Sequence, residues 1–164
     1  MRFEKDIKYA LIAILIGVSE AAFGKYISIF GAVPMLTFSF CLVCAITETD
    51  LSYVMVLSAI LGIFSDILLG HGFGTYTVAY VLSAFYTFKL KDAVFSSEWL
   101  FLAVDAFVMS FLVQLFYMIL HLSDIGTANF LKGMWSIALP TAVYNTVICC
   151  IFRYIAVKFT KKRR

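Results

Sequence analysis

Residues 51–88 read LSYVMVLSAILGIFSDILLGHGFGTYTVAYVLSAFYTF, two apolar runs on either side of a glycine-rich turn. The first run, Leu51–Leu69, matches the roughly 20 residues that a membrane-crossing helix needs. Gly70, His71, Gly72, Phe73 and Gly74 mark a tight turn. A second helix is predicted over 75–88. Ser58, Gly62 and Asp66 are spaced by four and so share one helix face, as do Thr75, Ala79 and Ser83. Folded back about the turn, 58 faces 83, 62 faces 79 and 66 faces 75. This predicts a close seam of small residues, because apolar burial hardly drives helix pairing in lipid and backbone approach decides it. Asp66 ends the seam. A carboxylate within a span costs about 2.5–3.5 kcal/mol at mid-bilayer and less near the interface, so it needs company. Two readings stay open: bonds to Thr75 and the amides of the glycine turn, or a partner-binding or proton-linked group.

The rest of the chain has the same character. It has 164 residues, 63% of them hydrophobic and 14% charged, with a mean hydropathy of +0.97. A soluble domain is about half apolar and a quarter charged, so lipid is the solvent that fits. We expect an all-α membrane protein, a six-transmembrane-helix bundle forming a single domain over 1–164. Its helices are placed at about 7–23, 33–46, 51–69, 75–88, 99–120 and 133–157, with a basic tail at 158–164. Six spans use roughly 120 residues and leave no room for a separate catalytic domain. The first apolar run is read as a retained helix and not a cleaved leader. Pro34 opens the second helix, where a first turn tolerates it. That helix is short and is expected to tilt or to cross incompletely. Pro140 should kink the sixth by removing a backbone donor.

Cations orient the bundle. Arg2, Lys5, Lys8, Lys89, Lys91, Arg153, Lys158, Lys161, Lys162, Arg163 and Arg164 fall on one side; Lys25 and Lys132 fall on the other. Eleven against two places both termini in the cytoplasm. Trp99 and Tyr154 then lie near the inner interface, and Tyr26, Tyr117 and Trp135 near the outer one. The tail is an ordinary contact for anionic lipid, and no nucleic acid is implied.

Remaining polar residues suggest structure before chemistry. Asp105 and Arg153 are candidates for an ion pair between the last two helices, with snorkelling the competing fate of the arginine. Asn145 must find a partner on another helix. Glu20 has Lys25 nearby for neutralisation. Cys41, Cys44, Cys149 and Cys150 lie in apolar runs and read as packing residues. His71, His121, Asp66 and Asp124 do not make a metal site. No nucleophile–base pair or paired-carboxylate pattern is visible. The 70–74 glycines lack the strand–helix setting and lysine of a phosphate loop. We expect no enzyme, cofactor, metal or small-molecule substrate.

Three stretches carry a resemblance: Ala32-Val33-Pro34; Gly62 and Asp66 followed by Gly70 and Gly74; and Pro140 followed by Tyr144-Asn145. Together with length and basic tail, they resemble MreD, the small membrane subunit of the bacterial rod-shape machinery. The resemblance implies a non-enzymatic scaffold of the elongation complex in the cytoplasmic membrane. It implies MreC as main partner, with MreB, RodA and its partner transpeptidase in the same complex, and a part in directing lateral peptidoglycan synthesis. It also implies a fold similar to the substrate-binding subunits of energy-coupling-factor vitamin transporters, and such a subunit is the alternative function. Pro34, Gly62, Asp66, Gly70, Gly74, Pro140, Tyr144 and Asn145 are the positions expected to bind the partner or to hold the fold. A reporter fused behind Arg164 should be active only in the cytoplasm; periplasmic activity would remove the six-span arrangement.

Overall fold

The computed structural model describes residues 2–24, 26, 28, 32–69, 74–91, 98–122 and 127–161, with side chains from Leu11 onward except those of Leu69, Glu98, Thr127, Ala128 and 159–161. Gly70, His71, Lys25, Asp124 and the tail residues Lys162, Arg163 and Arg164 lie outside the described residues, as do the side chains of Arg2, Lys5, Lys8 and Lys161. The described elements are all helical: α1 (Arg2–Phe23), α2 (Leu36–Thr47), α3 (Leu51–Leu69), α4 (Thr75–Leu90), α5 (Glu98–Leu120), α6 (Thr127–Gly133), a π-helical segment (Met134–Ala138) and α7 (Leu139–Lys161). Three stretches are long and apolar enough to cross a membrane, namely Leu51–Leu68, Trp99–Leu120 and Asn129–Lys158. Leu11–Phe23 and Leu36–Thr47 are apolar but shorter.

α2 is the centre of the bundle. Residues Thr37 to Ala45 are all buried, and the helix touches α1, α3, α4, α5 and α7. A helix apolar all round suits burial in protein as well as contact with lipid, and here it is protein that surrounds it. Its 12 residues cover only about 18 Å at 1.5 Å per residue. Short length here reflects a helix encased in protein, where irregular backbone before its first turn is tolerated because neighbours can satisfy it. Pro34 accordingly precedes the helix instead of opening it, and is fully buried.

Contact registers give the helix directions. Met35 meets Asn145 and Ser39 meets Cys149, both 110 residues apart, so α2 and α7 run parallel. Thr37 meets Tyr80 near the start of both helices, and Ala45 and Glu48 meet Lys91 near their ends, so α2 and α4 are parallel too. α3 and α4 are antiparallel: Gly62 lies against Thr77, and Asp66 against Gly74 and Tyr76.

The sixth predicted helix is divided. Pro140 has no N–H for the carbonyl four residues back, and the chain widens just before it. There the Leu139 amide bonds to the Met134 carbonyl, a five-residue step. The missing donor and the ring's bulk are thus absorbed by a π turn.

Gly62 sets the distance between α3 and α4. A Cβ there would overlap the Cα of Thr77, which is backbone and cannot rotate away. At Gly133 a Cβ would meet only the end of the Met118 side chain, which can move. Gly62→Ala should therefore destabilise the protein by about 1–3 kcal/mol, measured by reversible unfolding in mixed micelles, and Gly133→Ala by clearly less. Equal losses would show that the α3–α4 approach is not tight.

Candidate functional site

The first amides of a helix have no partner within it, and in a membrane protein's interior water cannot serve them. At the start of α2, two neighbouring helices supply acceptors. The Met35 amide donates to Asn145 Oδ1 of α7 at 2.9 Å. The Thr37 amide donates to Glu20 Oε2 of α1 at 2.7 Å, and the Thr37 hydroxyl donates to the same oxygen at 2.7 Å. Thr37 has one hydroxyl proton, so the Tyr80 hydroxyl, 3.1 Å away, must donate to it. Ser65 Oγ lies 3.0 Å from Thr37 Oγ1 and donates to Tyr80 Oη at 3.3 Å. Glu20, Thr37, Ser65 and Tyr80 are all buried, which joins α1, α2, α3 and α4 in one polar cluster. Phe38 packs on the Tyr80 ring, with centroids 5.0 Å apart.

Asn145 also reaches Ser110 Oγ of α5, its Nδ2 donating at 3.3 Å. Pro34 and Asn145 thus meet at one place, although 111 positions separate them in the sequence. Pro34 brings no N–H to satisfy, and the next residue's N–H goes to Asn145. Tyr144 and Pro140 are half-buried on the same helix.

The start of α4 is treated alike. Asp66 Oδ1 accepts from the Tyr76 amide at 2.8 Å; Oδ2 accepts from the amides of Gly74 and Thr77 at 2.9 and 3.1 Å and from Thr77 Oγ1 at 2.6 Å. The hydroxyl partner is Thr77, two residues from the expected Thr75, because Thr77 is the residue that faces α3 at Gly62. Gly74 has φ +98°, a left-handed conformation that suits glycine and lets its amide turn back to the carboxylate. Ser58, Ala79 and Ser83 are buried and Thr75 is half-buried; Ser58 Oγ bonds its own helix at Met55 O.

At the other end of the bundle, Asp105 Oδ2 accepts from Thr87 Oγ1 of α4 at 2.7 Å. The described contacts do not bring Asp105 and Arg153 together; Arg153 is half-buried farther along α7. Lys91 extends from the end of α4 to the carbonyls of Ala45, at 3.3 Å, and Glu48, and its ammonium lies 3.8 Å from the Phe88 ring centre. α2 therefore has a carboxylate at its positive end and an ammonium at its negative end, the arrangement its dipole favours.

Sequence reading missed the roles of Glu20, Thr37 and Lys91. Glu20 offered the one usable signal, an acidic residue deep in an apolar run. Its partner among the described residues is a helix start 17 residues on; Lys25 lies outside them. The free thiols of Cys41, Cys44 and Cys149 are buried, and Cys149 Sγ donates to Ser39 O at 3.6 Å. Among the described residues, no three His, Cys, Asp or Glu side chains are grouped as metal ligands.

Apolar helices held by buried carboxylate and amide bonds define an all-helical membrane protein. The family described as rod shape-determining protein MreD matches residues 1–163. The chain belongs to that family of shape-determining structural proteins, which is not known for enzymatic activity. Comparison with curated proteins and with solved structures returned no significant match.

Asp66→Asn leaves one acceptor oxygen for four donors and should cost about 1–3 kcal/mol of stability. Thr77→Val should cost about 1 kcal/mol, whereas Thr75→Val should stay within about 0.5 kcal/mol. A larger loss for Thr75→Val than for Thr77→Val would reverse the assignment.

Proposed function

We propose that the protein is a non-enzymatic membrane scaffold of the bacterial elongation complex, with six crossings of the cytoplasmic membrane and both termini in the cytoplasm. Its main partner would be MreC, with MreB, RodA and its partner transpeptidase in the same complex, and its task would be to help direct lateral peptidoglycan synthesis. The observation that carries this reading is membership of the rod shape-determining family over essentially the whole chain. The parallel course of α2, α4 and α7 supports an even number of crossings. So does the pairing of Lys91 with the end of α2, at the end of the bundle where the cations of the chain collect. α2 is too short alone, but the four residues before it can add at most about 13 Å. A similarity in fold to the vitamin-binding subunits of energy-coupling-factor transporters belongs to the same proposal.

The vitamin-carrier function itself would need an open chamber among the helices. Phe38, Leu42, Tyr80 and Leu102 fill that space with fully buried side chains. A scaffold instead needs a surface for another protein's helix. α3 and α4 present one: Val56, Ile60 and Ile67 on α3 and Val78 and Leu82 on α4 are exposed. Gly62 and Asp66 lie behind it and fix its shape. In lipid such a face gains affinity through close packing and not through burial alone.

Cysteines placed singly at Ile60, Ile67, Val78 and Leu82 should crosslink to a cysteine series along the MreC transmembrane helix, with adducts recurring at helical spacing. No adduct at any of these positions would remove the α3–α4 face as the partner site.

A further inference from the structure

A second feature lies on a different pair of helices. Between α5 and the α6–π segment is a cleft of about 300 Å³, lined by Gln114, Tyr117, Met118, Asn129, Lys132, Gly133, Ser136 and Ile137. That volume is at the lower bound for a small-molecule site. Its lining divides by chemistry. Met118, Gly133 and Ile137 make an apolar floor, and Gly133 contributes to it by having no side chain, so that the Met118 methyl lies against the backbone. Asn129, Lys132, Ser136 and Gln114 make a polar rim.

Lys132 is exposed, and no described carboxylate pairs with it. Its exposed ammonium is open to a phosphate from the surrounding lipid. The neighbouring rings set the depth. Tyr117 stacks on Tyr76 at 6.1 Å with planes 9° apart, and His121 packs on Tyr117 at 4.5 Å. Trp135, beside Lys132, is 67% exposed. Aromatic residues with polar edges occupy the headgroup region. A cleft at headgroup depth, with an ammonium and amides at its mouth and an apolar floor, is complementary to one ligand that is always present in a membrane.

We propose that this cleft is a binding site for an anionic phospholipid. The phosphate lies against Lys132, Asn129 and Ser136, and one acyl chain lies along Met118, Gly133 and Ile137. The π segment that accommodates Pro140 supplies part of the wall, so a backbone irregularity required by the proline also shapes the site.

The two tryptophans make the proposal testable in the full chain. In Trp99→Phe only Trp135, beside the cleft, fluoresces; in Trp135→Phe only Trp99, on α5 at the far end, does. Each is placed in nanodiscs of fixed phosphatidylglycerol and phosphatidylcholine content, with bromine carried by one lipid or the other. Trp135 should show an apparent preference for brominated phosphatidylglycerol of about fivefold, the effect of one lysine near the surface. Lys132→Gln should abolish it and leave the Trp99 signal as it was. Lys132 is exposed, so this change leaves the packing intact, and circular dichroism checks that it has. Equal quenching of Trp135 by the two brominated lipids, or a preference that survives Lys132→Gln, would overturn the proposal.

Discussion

The amides at the start of α2 are buried among other helices, and the bonds that satisfy them join α1, α2 and α7. Glu20 and Asn145 take up the Thr37 and Met35 amides from opposite flanks. Because one acceptor comes from α1 and the other from α7, satisfying a local need of one short helix ties together the two ends of the chain. Lys91 does the same for the final carbonyls of α2. Opposite charges at the two ends match the helix dipole, and low surrounding polarity strengthens both contacts.

Lipid makes this arrangement more important than it would be in a soluble protein. Apolar faces gain little by meeting each other when the alternative is an acyl chain. Specificity then falls to close approaches and polar bonds. Gly62 permits the first between α3 and α4, and Asp66 supplies the second a turn away with four donors. Glu20 on α1 and Asp66 on α3 play equivalent parts, each holding the first turn of the helix that follows. The third pair of helices is built differently: a π turn precedes α7, and Asn145 of α7 reaches across to the residue before α2.

Much of this could be read from the residues. Apolar runs of span length, the left-handed Gly74 and the disruption at Pro140 each follow from backbone chemistry that acts within a few residues. Asp66 bonded to Thr75 and the glycine-turn amides is one of the two sequence readings; of these the Gly74 amide is found, while the other donors are Tyr76 and Thr77 of α4. The central position of α2 was not legible, since hydropathy cannot separate a helix in lipid from one in protein; its shortness looked like a weak span. Glu20, Thr37, Asn145 and Lys91 were invisible as a set because they are joined across distant parts of the chain. In the sequence Asp105 and Arg153 are candidates for an ion pair, and the hydroxyl that bonds Asp105, Thr87 on α4, carries no such signal. Charge attracts attention in a sequence, but a hydroxyl at bonding distance suffices in a dry interior.

The proposed scaffold role needs a rigid frame that offers a face to another helix, and the frame depends on the α1–α2 bond. A double-mutant cycle on Glu20→Gln and Thr37→Val, followed by reversible unfolding in mixed micelles, measures that bond most directly. If Glu20 and Thr37 hold α2 in place, their coupling is at least about 0.6 kcal/mol. If the two losses simply add, within about 0.3 kcal/mol, the central helix is held by something else.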